Sequence, residues 1–462
     1  MSTSIQRNED ELYVDRLMQD LAEGVGKGEI PASIFSNERV YKRELRQVFG
    51  RCWVYMAHES EIPNPGDFVV RKIGEDDFIV ARDTDGGVNV MLNACSHRGV
   101  QLCRSDSGNA QQFRCLYHGW TFATDGKLRG APVWKKSAGT MCKEANGLVH
   151  AAQVGIHQGL IFATLDKSAP PLTEYLGGIG WYLDLIFGLN EHGVEVVGPP
   201  QRFVIPADWK SPAENGAGDD FHLVTLHRSA SVLGAFPVNP VENMKGYHVQ
   251  AAPGHSLSLS MAMSEEDPGP RFIGFPEELI ETFNTSSITE DQLQASRMAR
   301  VVVGNVFPNL TFIALPVSED SSKPPVAAIT VRVWQPKGPD HVEVWNWFFV
   351  YKNATPEQKQ RSYSAGLGTF SMAGLFEMDD SEPWATISKT GSSVAAELLD
   401  FKLNYQRGLP GIGEAELVES FPGPGVVYTP RYEEGVQRNL YKFYAGLMQS
   451  TPGEWPDTEV AG

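Results

Sequence analysis

Cys95-Ser96-His97-Arg98-Gly99 and Cys115-Leu116-Tyr117-His118-Gly119-Trp120 are two versions of one short phrase, with seventeen residues between His97 and Cys115. Together they offer two thiolates and two imidazoles. That is the ligand set of a Rieske [2Fe-2S] centre, in which two histidines replace two cysteines on one iron. A tetrahedral zinc ion would accept the same four groups, but zinc sites usually pair two cysteines at two to four residues' spacing, and each pair here is mixed. Gly99 and Gly119 close the two phrases, where a residue without a side chain lets backbone approach a buried sulfide and offer it amide donors. The phrases therefore read as an electron-transfer centre.

Working outward, the chain around them is β-rich. Short runs at 68–73, 78–82 and 88–92 are broken at Gly74 and at Asp85-Gly86-Gly87, and an Asp125-Gly126 turn follows the second phrase. These predict hairpins of a small antiparallel domain with both Cys/His pairs on its loops. Upstream, Val14, Leu17, Met18 and Leu21 recur at helical spacing, as do Tyr41, Leu45, Val48 and Phe49 after a candidate cap at Ser36. Downstream, Asp166-Lys167-Ser168-Ala169-Pro170-Pro171 reads as a linker. The remainder mixes helical segments with strands at 327–334 and 342–351, which predicts an α+β domain around an antiparallel sheet. The expected organisation is N-terminal helices over 1–46 packing on the larger domain, a small all-β domain over 47–166, a larger domain over 167–450 and a polar tail over 451–462.

Composition narrows the partners. The 462 residues leave roughly 300 beyond the small domain, enough for a second core. A net charge of −18 disfavours nucleic acid and anionic membrane, both of which need clustered Lys and Arg. Of the five cysteines, Cys52, Cys103 and Cys142 stand outside the two phrases and read as free thiols in a reducing compartment. The first thirty residues lack the basic start and apolar core of a signal peptide, and no apolar run of about 18 residues occurs. A soluble, cytoplasmic chain is expected.

A second set of chemical groups lies further on. Glu214-Asn215-Gly216-Ala217-Gly218-Asp219-Asp220-Phe221-His222 leads through Leu223 to His227. In a helix, Asn215, Asp219 and His222 share one face. His227 would lie about 140° round from His222, so the helix bends or ends between them, or one histidine is not a ligand. The stretch Phe376-Glu377-Met378-Asp379-Asp380-Ser381-Glu382-Pro383-Trp384 reads, by itself, as a solvated acidic turn bounded by aromatics. Two imidazoles and one carboxylate would nevertheless form the facial triad of a non-haem Fe(II) oxygenase, with open positions for O₂ and substrate. A one-electron donor in the same chain favours that reading, because Fe(II) alone supplies one of the electrons O₂ insertion requires.

On these two motifs, with Trp53-Val54-Tyr55-Met56-Ala57-His58-Glu59-Ser60-Glu61-Ile62-Pro63 and the stretch around Asn404-Tyr405, the chain resembles the alpha subunits of Rieske-type aromatic-ring-hydroxylating dioxygenases. It is most similar to the naphthalene dioxygenase group, its actinobacterial polycyclic-aromatic members in particular, over nearly its whole length. The resemblance implies a small all-β Rieske domain and a larger catalytic domain built on an antiparallel β-sheet flanked by helices. It implies that Cys95, His97, Cys115 and His118 hold the [2Fe-2S] cluster, and that His222, His227 and Asp380, the second aspartate of its pair, hold a mononuclear Fe(II). Asp219 would be the carboxylate linking His222 to a cluster histidine of the neighbouring subunit, with Asn215 beside it in the catalytic motif. Such a bridge implies a trimer of these chains, capped by a small beta subunit as α3β3, with α3 as the alternative. Electrons would come from NADH through a reductase and a ferredoxin. NADH itself should not bind, since no Gly-x-Gly-x-x-Gly follows a strand. The implied reaction adds both atoms of O₂ to an aromatic ring and gives a cis-dihydrodiol.

The chain departs from the family pattern at Asp208-Trp209-Lys210, where Asn-Trp-Lys is common, and at Gly216-Ala217, where a bulky aromatic often follows the asparagine. If that position lines the pocket, losing the ring opens on the order of 100 Å³ and admits a larger substrate. Phe376 takes a pocket-wall position, with Leu223, Val303 and Asn305 as further pocket candidates. His248 and His255 have no carboxylate at a metal spacing and read as structural or pocket residues. Trp120 reads equally as a shield for the cluster and as plain core. The only cation within the iron motifs is Arg228, so an apolar aromatic is favoured over an aromatic acid. Two other readings remain: a related Rieske monooxygenase or demethylase acting on an aromatic acid, and a non-enzymatic iron-sulfur carrier or zinc-bound scaffold. Iron content separates the last, since the oxygenase requires about three Fe per chain by ligand counting.

Overall fold

Long runs of Val, Ile, Phe and Trp without a break are strand-forming and demand cover on both faces. Val326–Pro336 and Val342–Tyr351 are such runs, and in the computed structural model they form the two longest strands of a ten-stranded antiparallel sheet. The structure describes residues 9–132, 143–232, 245–262, 264–267, 269–318, 322–413, 415–451 and 453–456. They fall into two compact units, Phe49–Leu172 and Met1–Val48 with Thr173–Gly462.

The smaller unit is all-β. Val88–Leu92, Asp76–Arg82, Asp67–Ile73 and Ser107–Asn109 form a four-stranded antiparallel sheet in that order, and Phe113–Arg114, Thr121–Phe122 and Leu128–Gly130 form a three-stranded one. Phe68, Ile79, Met91, Phe113, Phe122 and Leu128 make its core, with Cys95, Cys115 and Trp120 among them. The residues at 166–171 that read as a linker are tied into this unit: Trp53 Nε1 donates to the Pro170 carbonyl (2.9 Å) and Gln153 Nε2 to that of Ala169 (2.8 Å).

In the larger unit, β1 (Gly246–Ala252), β2 (His255–Met261), β3 (Ala299–Val306), β4 (Leu310–Val317), β5 (Val326–Pro336) and β6 (Val342–Tyr351) run side by side in chain order. Three helical pieces matter for the site: α1 (Lys210–Asn215), α2 (Leu375–Gly391) and α3 (Gly435–Gln449). Helix α3 packs on β1 and β2, and Pro356–Phe370 packs on β5 and β6. The N-terminal helices Glu9–Val25 and Glu38–Gln47 also belong to this unit. The second is capped by Asn37, whose side chain accepts from the Arg39 and Val40 amides, rather than by Ser36. Ser36 instead donates its amide to Asp208 Oδ2 at 2.7 Å. There Lys210 Nζ sits fully buried, 2.6 Å from Glu44 Oε1 and 2.9 Å from Asp208 Oδ2, so an acid in place of the common asparagine gives this lysine a second counter-charge. That cluster fixes the start of α1.

Candidate metal centres

The two Cys/His phrases fold into the same turn. The Cys95 amide donates to the Val100 carbonyl (2.8 Å) and the Gly99 amide to the Cys95 carbonyl (2.7 Å); Cys115 to Trp120 (2.8 Å) and Gly119 to Cys115 (3.0 Å) repeat the pattern. Gly99 and Gly119 have φ of +71° and +72°, a conformation that favours glycine. The turns bring the His97 and His118 rings to 4.6 Å between centroids. Burial raises the Cys95 thiol above its ordinary pKa; the amides of His97 and Arg98 donate to its sulfur and oppose this, and the adjoining Cys115 thiol adds to the rise. Two facing thiols and two facing imidazoles with backbone N–H groups on the sulfur suit an iron–sulfur cluster. His97 Nδ1 is buried without a hydrogen bond, as a nitrogen reserved for a metal would be.

Trp120 stacks on the His97 ring at 4.7 Å and 4° between planes and belongs to the apolar core of the smaller unit. Asn93 was not singled out from sequence. Its Oδ1 accepts from the Leu102 and Cys103 amides (3.1 and 2.9 Å) and its Nδ2 donates to the Cys103 carbonyl (2.8 Å), which ties off the first loop. The only signal in the sequence was an amide side chain at a strand end just before a Cys/His phrase. Cys52 and Cys103 are buried, and burial pushes the Cys103 thiol up to about 12; Cys142 lies outside the described residues.

The second set of groups also converges. The continuous helix that would have put Asn215, Asp219 and His222 on one face does not form. Helix α1 stops at Asn215, whose carbonyl accepts from the Gly218 and Asp219 amides (3.2 and 3.0 Å), and Gly218 turns the chain at φ +125°. A one-turn helix, Phe221–Val224, carries His222, and His227 follows just before the next short helix, Arg228–Val232. These breaks bring the His222 and His227 rings to 5.0 Å. The predicted acidic turn is instead the first half of α2, which points Asp380 inward.

Asp380 Oδ1 lies 3.6 Å from His222 Nε2 and 3.2 Å from His227 Nε2, and one ligand atom from each residue lies within 4.8 Å of the others. Each ring has a carboxylate behind its other nitrogen. Asp219 Oδ2 is 3.4 Å from His222 Nδ1, and Asp379 Oδ2 is 3.2 Å from His227 Nδ1. Behind His227 this is a carboxylate–histidine hydrogen bond of the kind that fixes tautomer and ring direction, whereas His222 Nδ1 stands at ion-pair distance from Asp219 without a hydrogen bond. Asp380 Oδ1 is buried without a hydrogen bond, so the donor set fits a divalent cation. Burial opposes charge on His222, but Asp219 and then Asp380 raise its pKa to about 9. Burial likewise opposes ionisation of Asp219, and the adjoining His222 holds it below the ordinary range.

The pocket candidates divide. Phe376 stacks on the His227 ring at 4.5 Å and packs edge-on to Phe370, and Val303 packs against the same apolar cluster. Leu223 is half-buried in the turn that carries His222. Gly216 opens no space, because a Cβ there would stand 2.0 Å from Thr311 Oγ1 on β4. Asn305 is 1 % exposed and its amide is spent on backbone, accepting from Ser256 and donating to Gly254 (both 2.9 Å). His255 bonds the Tyr175 carbonyl and Phe307 amide, and burial lowers its pKa to about 4. His248 does meet carboxylates, Asp220 and Glu433, brought to it by the fold.

Residues 52–144 match the Rieske [2Fe-2S] domain family, and residues 172–450 match the family described as ring hydroxylating alpha subunit (catalytic domain). The chain belongs to the ring-hydroxylating alpha subunits. These oxygenases are oxidoreductases that use a Rieske [2Fe-2S] cluster and a mononuclear iron. This alpha subunit is 36 % identical to the N,N-dimethyl phenylurea N-demethylase subunit alpha of Sphingobium sp. (strain YBL2), covering 96 % of each chain. It is 32 % identical to the biphenyl 2,3-dioxygenase subunit alpha of Rhodococcus jostii (strain RHA1), covering 93 % of this chain and 92 % of that one. Its fold matches the crystal structure of naphthalene 1,2-dioxygenase from Rhodococcus sp. bound to indole, with a TM-score of 0.89, 38 % identity and coverage of 94 % of this chain and 98 % of that one. Among the described residues, no helix of this alpha subunit is long and apolar enough to cross a membrane.

Proposed function

We propose that this alpha subunit is a terminal oxygenase component that adds both atoms of O₂ to adjacent carbons of an uncharged, polycyclic aromatic ring, giving a cis-dihydrodiol. The observation that carries the reading is the convergence of His222, His227 and Asp380 against the aromatic face of Phe376. A mononuclear iron held by these three would supply O₂ activation, and a cluster held by Cys95, His97, Cys115 and His118 would supply single electrons.

The protein's own groups prepare the site. Asp379 holds the His227 imidazole by Nδ1 and Asp219 faces Nδ1 of His222 at ion-pair distance, with both Nε2 atoms toward Asp380. Phe376, with Phe370 and Val303 packed in the same apolar cluster, would give a planar apolar substrate a ring to stack on, and Leu223, half-buried in the turn of His222, is proposed as a further contact. Arg332, a buried cation near Asp380, is paired with Glu377 and so is not offered to a substrate carboxylate. This favours a hydrocarbon over an aromatic acid. Two electrons and two protons enter with each O₂, and the electrons would arrive from NADH through a reductase and a ferredoxin. Asp219, 38 % exposed beside His222, suits the role of linking this site to the cluster of a neighbouring chain in a trimer, with a small beta subunit completing α3β3 in the cytoplasm.

A second reading is oxidative N-demethylation, favoured by the likeness to the phenylurea N-demethylase subunit over 96 % of the chain. One experiment separates the two. Purified, reduced protein is given isotopically labelled O₂ with a panel of two- to four-ring hydrocarbons and N,N-dimethyl phenylureas in single turnover, and products are read by mass spectrometry. A dihydrodiol with two labelled atoms supports dihydroxylation. Formaldehyde with a monomethyl urea moves the protein to the demethylase reading, and no product from either panel overturns both.

A further inference from the structure

Asp219 and Asp220 are adjacent in sequence and opposite in surroundings. Asp219 faces His222 near the surface, whereas Asp220 is 3 % exposed and faces the sheet. Its Oδ2 lies 3.1 Å from Nε2 of His248 on β1 and accepts from the Ser258 hydroxyl on β2. Its Oδ1 lies 3.3 Å from Nη1 of Arg431, which also donates to Ser258 Oγ at 3.1 Å. His248 Nδ1 faces Glu433 Oε1 at 3.3 Å, and Glu433 Oε2 accepts the amide of Gly435, the first residue of α3. None of His248, Ser258, Arg431 and Glu433 is more than 5 % exposed. Burial opposes charge on His248, but its two carboxylate neighbours hold it protonated, with a pKa of about 9. Arg438 Nη2 also lies 3.7 Å from Glu433 Oε2, so two carboxylates face three cationic groups here.

A buried ionic group of this kind can be structural and nothing more. Two features tie this one to the metal centre. The Asp220 carbonyl accepts the Leu223 amide (3.2 Å), so Asp220 opens the turn that carries His222. On its other side Gly218 runs against β2, where a Cβ would stand 3.1 Å from the Ser258 nitrogen, so the loop cannot settle inward to compensate for a lost bond. We infer that Asp220 is a positioning residue: its buried bonds to His248, Ser258 and Arg431 fix the start of the Phe221–Val224 turn and thereby the direction in which His222 presents its imidazole. The inference rests on the reading of His222 as an iron ligand.

The test uses the purified holoenzyme and reads iron rather than turnover. Release of the mononuclear iron to a chelator is timed anaerobically, and the paramagnetic spectrum of the reduced protein's nitric oxide adduct reports ligand geometry. The cluster signal serves as the internal control. Asp220→Asn should release iron about tenfold faster or more and alter the nitric oxide spectrum, with the cluster signal unchanged. Asp220→Asn combined with His248→Gln, which removes one charge of each sign, should recover most of the loss. A lowered melting temperature with unaltered release and spectrum would make the network structural only and overturn the inference. Should Asp220→Asn not accumulate as folded protein, Ser258→Ala removes one bond and no charge; about threefold faster release supports the inference and wild-type release overturns it. If wild-type protein holds no iron beyond its cluster, the oxygenase reading itself fails, a result distinct from either variant's.

Discussion

Asp379 Oδ2 lies 3.2 Å from Nδ1 of His227, across the ring from the nitrogen that faces Asp380. Two consecutive residues of α2 therefore grip the same imidazole from both sides, the outer one 30 % exposed and the inner one 9 %. The chemistry of the two acids should differ accordingly. Removing Asp380 takes away a proposed metal ligand, while removing Asp379 only frees the ring to rotate and weakens its basicity. Asp380→Ala should purify with the cluster and without mononuclear iron. Asp379→Asn should keep iron at an affinity about 10- to 100-fold lower. Iron analysis and chelator titration read both, and equal losses from the two variants would count against the assignment of roles.

Asp219 is the corresponding acid behind His222, but it also reaches the surface. Asp219→Asn keeps the shape and removes the charge. Both metals should remain bound, and oxidation of the reduced cluster on adding substrate and O₂ should slow by more than the affinity for substrate changes. Rapid-mixing measurement of the cluster's visible absorbance reads the rate. Oxidation at the wild-type rate would remove Asp219 from the electron path.

Glu214, at the end of α1, has a separate role in the stability of the unit. Burial raises its pKa to about 8, even though Tyr405 Oη donates to Oε1 at 2.8 Å and Tyr441 Oη to Oε2 at 2.5 Å. Below the ordinary value of 4.5 both folded and unfolded chains hold the proton. Between 4.5 and about 8 only the folded chain does, so stability falls as pH rises through that window and levels off above it. Glu214→Gln removes the titration. Its melting temperature relative to wild type should climb across the window and then hold steady; a pH-independent difference would show that Glu214 is ionised in the folded protein.

What could be read from sequence follows how local each feature is. The Cys/His phrases complete a turn within six residues, so type, spacing and glycine conveyed the geometry directly. The α+β class and the long strands were legible because uninterrupted β-branched and aromatic runs leave little else possible. His227 was ambiguous because a straight helix was the reference, whereas Gly218 breaks the chain and Asp220 redirects it toward residues on β1 and β2. Gly216 was misjudged for the same reason: Thr311, which fills the space beside it, arrives from β4. The choice of Asp380 over Asp379 came from resemblance, and nothing in the local sequence revealed that Asp379 would support the other face of the ring. His248 found its acids only through contacts 28 and 185 residues away.

Behind the metal site, Arg332 of β5 pairs with Glu377 of α2, both almost fully buried, with the guanidinium 4.6 Å from the Trp334 ring centroid. Burial lowers the Arg332 pKa to about 10, with Asp380 opposing the fall. Arg332→Met leaves Glu377 as a buried, uncompensated charge one helical turn from Asp380. Breaking such a pair from one side costs about 3–5 kcal/mol, whereas replacing both partners by apolar groups is often close to neutral. Arg332→Met should therefore lower stability steeply in denaturant unfolding, and Arg332→Met with Glu377→Leu should recover most of it. A double variant no more stable than Arg332→Met alone would show that the packing of the guanidinium on Trp334, rather than its pairing with Glu377, holds this region.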